Sequence, residues 1–105
     1  LADYTGVEDQ PSVPQEFTLG QNYPNPFNPT TTIGYTVPSG QVKLEVYNVM
    51  GQKVRTLVDK AVIAGAYHAE WDATDQSGSL VSGGVYFYKL QSDAGVQVKK
   101  MILQK

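Results

Sequence analysis

Residues 32 to 47 read TIGYTVPSGQVKLEVY. Ile33, Tyr35 and Val37 alternate with Thr32, Gly34 and Thr36, and Val42, Leu44 and Val46 alternate with Lys43, Glu45 and Tyr47. Successive side chains of a strand point to opposite faces, so each run predicts a half-buried strand with one apolar face. Between the runs, Val37-Pro38-Ser39-Gly40 is turn chemistry. After the second run, Asn48-Val49-Met50-Gly51 places glycine where a hairpin needs a positive φ.

The return strand is expected over Lys53 to Asp59. Its apolar Val54 and Leu57 are three apart, a spacing that a regular strand cannot keep on one face, so a bulge or a short strand is expected. Tyr67, Ala69 and Trp71 share a face opposite His68 and Glu70, and Asp72 to Gly78 (DATDQSG) supplies a polar turn. Gly84 to Leu90 (GVYFYKL) is apolar on both faces, the texture of a central strand covered on both sides or flanked by aromatics. In the last segment Val96 and Val98 share one face, Met101 and Leu103 the other, with Lys99 and Lys100 at the switch; a bulge there is the simplest expectation. With Phe17-Thr18-Leu19 as a short first strand, about seven strands follow at roughly ten-residue spacing, without a 3.6 period. The expected fold is an all-β antiparallel β-sandwich, with an up-and-down or partly open barrel as the other topology.

The chain has 105 residues, room for one domain on a prior of roughly 150 residues each. Residues 1 to 16 (LADYTGVEDQPSVPQE) hold four acids and two prolines with few large apolar groups, too little burial to offset ordering entropy. They read as a flexible linker from an upstream domain, and 17 to 105 as the folded unit. Leu1-Ala2-Asp3-Tyr4 is neither an initiator methionine nor a signal peptide, so the chain reads as the tail of something longer. Eight Lys and Arg stand against ten Asp and Glu, a net charge of −2 with no basic stripe, which speaks against nucleic acid and membrane surfaces as partners. There is no cysteine, hence no disulfide framework and no thiolate metal site.

Gln21 to Pro29 (QNYPNPFNP) contains three X-Pro bonds that push Tyr23, Asn25 and Asn28 toward extended or turn conformations. A rigid structural loop is expected, with Tyr23 and Phe27 as anchors and the asparagines in Asx-type turns; a binding loop is the other reading. Asp72, Asp75, Gln76 and Ser77 gather oxygen donors in one turn, and Asp72 and Asp75 are the weak candidates for a hard cation. The spacing departs from the EF-hand pattern, and aspartates in such turns more often cap backbone amides. His68 is the only histidine and falls on the solvent face, so neither a nucleophile with its base nor an ordinary zinc site can be assembled. Glu45, Glu70, Asp72 and Asp75 leave a carboxylate pair chemically open, but loops this short offer little cleft. Neither catalysis nor a cofactor is expected. Trp71 shares its face with Tyr67 and Ala69, which favours core burial over a sugar-stacking platform.

The runs LGQNYPNPFNPTTTIGYTVP (Leu19 to Pro38), VYNVMGQKVRTLVD (Val46 to Asp59), AGAYHAEWDATDQSG (Ala64 to Gly78), GGVYFYKL (Gly83 to Leu90) and VKKMILQK (Val98 to Lys105) resemble, in order, the type A C-terminal sorting domain of bacterial type IX secretion cargo. That domain is similar in fold to the immunoglobulin-like domain of flagellar hook-capping proteins. The resemblance implies an immunoglobulin-like or fibronectin-III-like seven-stranded sandwich on a secreted or cell-surface protein of a Bacteroidetes-like Gram-negative bacterium. It implies as partners the cargo domain upstream, the type IX outer-membrane translocon met from the periplasm, and a sortase-like peptidase that cuts in the linker. The family's Gly-x-Tyr motif falls on Gly84 and Tyr86, and its basic-apolar terminal strand on Lys99, Lys100, Met101, Ile102, Leu103 and Lys105. Three positions depart from the pattern: Gly83 where Ser is frequent, Ala73 where Gly usually follows Trp-Asp, and Asn48 where Asp is frequent. The rival functions are an accessory carbohydrate-binding module and a structural spacer.

Overall fold

Alternation in the sequence becomes layering in the structure. In a computed structural model that describes residues 16–105, Ile33, Tyr35, Val37, Val42, Leu44 and Val46 all turn inward and are buried. The chain forms seven strands: β1 (Thr18–Leu19), β2 (Thr31–Val37), β3 (Gly40–Asn48), β4 (Lys53–Val62), β5 (Gly65–Trp71), β6 (Gly84–Ser92) and β7 (Gly95–Leu103). They divide into a three-stranded sheet ordered β1-β2-β5 and a four-stranded sheet ordered β4-β3-β6-β7, antiparallel throughout. Two sheets that bury their inner faces against each other are a sandwich, not a barrel. The linker expected over residues 1 to 16 lies outside the described residues, apart from Glu16.

The core is a single cluster in which Phe27, Trp71 and Tyr86 meet ring to ring: centroids are 5.8 Å apart for Phe27 and Trp71 and 5.2 Å for Trp71 and Tyr86, the latter edge to face. Trp71 is fully buried, and its indole N–H donates to the Thr74 carbonyl at 2.8 Å, satisfying the one polar atom that burial would otherwise orphan. The β3–β4 hairpin turns at Gly51, whose φ of +82° a side chain would resist. The expected bulge in β4 is two bulges: the register slips between Leu44 and Glu45 and again between Val46 and Tyr47, passing over Leu57 and Val54. Despite them β4 runs ten residues, so it is bulged and not short.

Two expectations need correction. β7 carries no bulge: its register with β6 is unbroken from Gly84↔Leu103 to Ser92↔Gly95. Val96 and Val98 therefore stand exposed on the outer face with Lys100 and Ile102, while Gln97 and Lys99 point inward and are half-buried. On the inner face Gln97 stands where an apolar residue would, and its amide accepts from Leu19 N–H and donates to the Phe17 carbonyl. β6 is central in its sheet but covered on one side only: Tyr86, Tyr88 and Leu90 are buried, Val85, Phe87 and Lys89 half-buried. Its outer aromatic is there for cross-strand packing on a wetted face.

Candidate functional site

β7 is the outermost strand of the larger sheet. Strict alternation sorts its terminal residues into two sets. Met101 and Leu103 are buried in the core, whereas Lys100 and Ile102 face outward, Ile102 at 37% exposure. Lys99 is half-buried and Lys105 exposed. The recognition residues named from the sequence thus do not form one surface. Lys100, Ile102, Lys105 and the half-covered Lys99 are open to a partner; Met101 and Leu103 are not while the strand stays in place.

Gly84 opens β6 with a φ of +146°, a backbone state that favours glycine, and pairs with Leu103. Tyr86 is buried at 7% exposure, and its hydroxyl donates to the Ser82 carbonyl at 2.6 Å, four residues upstream. Burial raises the Tyr86 pKa. This is the tyrosine-corner arrangement of immunoglobulin-like sandwiches, a Tyr near the start of the sixth strand tied back to the preceding loop. The Gly-x-Tyr motif therefore holds the entry to β6, and its side chain is inside.

The edge of β7 is dressed by the Gln21–Pro29 loop, whose three X-Pro bonds are cis. Phe27 N–H donates to the Ile102 carbonyl at 3.0 Å, and Gln104 N–H donates to the Phe27 carbonyl at 2.8 Å. Ile102 N–H donates to Asn25 Oδ1 at 3.0 Å, and Gln21 Nε2 donates to the Lys100 carbonyl at 2.9 Å. The loop is rooted below: Asn22 N–H donates to the Tyr88 hydroxyl at 2.8 Å, that hydroxyl donates to the Gly20 carbonyl at 2.7 Å, and Asn22 Nδ2 donates to Thr31 Oγ1 at 2.9 Å. Phe27 is an anchor at 2% exposure; Tyr23 is not, at 80%. Asn22 and Asn25 make tertiary bonds rather than Asx turns. The sequence hides this, because an asparagine between prolines suits a turn and a strand mimic equally.

Asp72 and Asp75 spend their oxygens on their own turn. Asp72 Oδ1 accepts from the Thr74 hydroxyl and main-chain N–H, and Asp75 Oδ1 accepts from the Ser77 and Ser79 N–H groups, both at 3.0 Å, and from the Ser77 hydroxyl. These bonds, led by the one from Thr74 for Asp72 and from Ser77 for Asp75, lower both pKa values. Among the described residues no three His, Cys, Asp or Glu side chains converge as a metal site would require. Ala73, at the family's glycine position, has a φ of +66° and is buried. Glu45, which the alternation places on the outer face of β3, is buried at the bulge. Burial would raise its pKa, but hydrogen bonds from the Tyr47 hydroxyl at 2.8 Å and from Lys53, with the charges of Lys53 and Lys43, outweigh that and lower it. Of the rings a sugar platform could use, Trp71, Tyr86 and Tyr88 are in the core, and Tyr67 and Phe87 are half-buried.

Sheets of three and four strands with a tyrosine corner define an immunoglobulin-like sandwich, and solved structures agree. The chain is similar to dimeric latent PorU from Porphyromonas gingivalis (24% identity, 88% of this chain and 10% of that one, TM-score 0.65). It is also similar to FlgD from P. aeruginosa (20%, 85% and 72%, 0.55) and to PorZ, an essential surface component of the type IX secretion system of P. gingivalis (19%, 85% and 11%, 0.54). It spans about a tenth of the length of PorU and of PorZ. No curated protein matches significantly. The sequence pattern of the secretion system C-terminal sorting domain matches residues 21–104, and the chain belongs to that family. It is a C-terminal sorting signal of the type IX secretion kind.

Proposed function

We propose that the face read by the type IX outer-membrane translocon is β7, through Lys99, Lys100, Ile102, Lys105 and the strand's edge, and that Gly84, Tyr86, Met101 and Leu103 serve recognition by holding that strand in shape. The observation that carries this reading is the position of the family's terminal motif on an outermost strand with two of its residues turned to solvent. An address of this kind needs form and charge and no bond-making, so the domain acts without catalysis. The cargo domain precedes Leu1, a sortase-like peptidase cuts within residues 1 to 16, and the cargo ends secreted or on the cell surface after passing the periplasm. A reporter fused ahead of Leu1 tests it in a bacterium that carries the system. Reversing the exposed Lys100 and Lys105 to Glu leaves the core untouched and is expected to abolish export; undiminished export of the folded variant would reject the reading.

A further inference from the structure

The Gln21–Phe27 segment lies beside β7 as a strand would, yet only Phe27 makes a main-chain bridge to it. Phe27 receives from Gln104 N–H and gives to the Ile102 carbonyl, one rung of a parallel ladder. In such a ladder the next rung, two residues back, takes the Ile102 N–H on a main-chain carbonyl and offers a main-chain N–H to the Lys100 carbonyl. Both partners are present, but each comes from a side chain: Asn25 Oδ1 accepts the Ile102 N–H and Gln21 Nε2 donates to the Lys100 carbonyl. Two carboxamides imitate the peptide group that the proline-bearing chain does not bring to the edge. The Phe27 rung is fixed by a ring sunk in the core against Trp71, whereas the amide rung hangs on side chains, Gln21 exposed. The main-chain groups of Val96, Val98 and Lys100 N–H point the same way as those of Ile102, since every second residue of an edge strand faces outward in the sheet plane. Among the described residues none of those groups has a protein partner.

We infer that the Asn25 and Gln21 amides are a removable plug in a strand-binding slot, and that an extended segment of the recognising protein adds parallel to β7 along the stretch from Val96 to Ile102, displacing the two side chains while the Phe27 rung stays. Lys100 on the outward face favours an acidic residue opposite it on the added strand. A plug of this kind keeps the edge from pairing indiscriminately before the receptor is met, the protection that open edges generally need. The inference rests on β7 being the part that is read, and refines it from side chains to backbone.

Lys100→Pro tests it, because the Lys100 N–H faces away from β6 and its loss leaves the β6–β7 ladder intact, the position where an edge strand tolerates proline. Export of the fused reporter is expected to fall at least tenfold further for Lys100→Pro than for Lys100→Ala, with the thermal transition of both retained. Equal export of the two would overturn the slot and leave the side-chain reading standing; insensitivity to either, and to charge reversal, would sink the proposed function itself. Should Lys100→Pro not fold, Asn25→Ala decides. Its Ile102 amide is expected to exchange hydrogen about fivefold faster than wild type, the loss of one ordinary hydrogen bond, with export maintained or increased. Unchanged exchange, or lost export with the domain folded, would overturn the plug.

Discussion

Each edge of the four-stranded sheet is capped over part of its length by a loop, and the two loops do it with opposite chemistry. On β7 the Gln21–Pro29 loop sends Phe27 and Asn22 into the interior, with the Asn22 side chain paired to Thr31 and its N–H to Tyr88. On β4 the Asp72–Leu80 turn stays at the surface apart from the buried Ala73: Gln76 N–H donates to the Val54 carbonyl, Thr56 N–H donates to Gln76 Oε1, and Arg55 reaches Thr74 and the Asp75 carbonyl. Each uses a side-chain amide to finish a strand edge. One loop is an extension of the core; the other is a clasp held by its own carboxylates. Removing a buried anchor should therefore unmake the first, while the second should respond to proton concentration.

The largest effect is expected from Phe27→Ala. The ring is buried against Trp71, and emptying such a site costs about 3–5 kcal/mol, read as a lower urea midpoint with an unchanged slope. A loss near the ~0.5 kcal/mol of an ordinary surface change would mean that the proline loop is no part of the core. Tyr88→Phe keeps the ring and removes one hydroxyl, which orphans the Asn22 N–H and the Gly20 carbonyl at once. A cost of about 1–3 kcal/mol is expected, since the abandoned groups stay desolvated. A neutral result would show that water replaces the hydroxyl and that the root of the loop is wet.

The strands were legible because their period is carried by residues that tolerate only one face. Ile33, Tyr35 and Val37, like Val42, Leu44 and Val46, announce both the strand and its buried side. The terminal strand misled for the same reason. The change of apolar face predicts a bulge at Lys99 and Lys100, yet the register is unbroken, because an outer face beside Phe87 tolerates valine. The candidate site was legible in composition, not in contact. Which of Lys99 to Leu103 point outward follows from parity once the strand is unbroken, but that Asn25 reaches Ile102, 77 residues away, depends on tertiary placement that no local pattern encodes.

The clasp should weaken in acid. A carboxyl whose folded pKa lies below its unfolded one binds fewer protons when folded, so its stabilisation is fully present above the unfolded value and is lost as pH falls through the folded value. Asp72, Asp75 and Glu45 all shift downward. Stability is thus expected to stay level from neutrality to about pH 5 and to decline below about pH 4, where ordinary carboxyls titrate. Asp75→Asn should flatten part of that decline and Phe27→Leu none of it. An identical acid limb in Asp75→Asn would place the titrating contacts away from the turn.

Ala73→Gly is the smallest expected effect and the sharpest comparison with the family, because it restores the residue usual after Trp-Asp. At a φ of +66° the alanine Cβ crowds its own backbone, a strain of about 1–2 kcal/mol that glycine lacks. Against that relief stand the burial of one methyl, about 0.8 kcal/mol, and the extra freedom glycine gives the unfolded chain, about 0.4–1 kcal/mol. The contributions nearly cancel, so a melting shift within about 3 °C is expected for a domain of this size. A clear gain would mean that the turn is strained and that alanine is tolerated for another reason. A clear loss would mean that the buried methyl contributes more than its own transfer from water, and that the clasp is rooted inward through Ala73 as the proline loop is through Phe27.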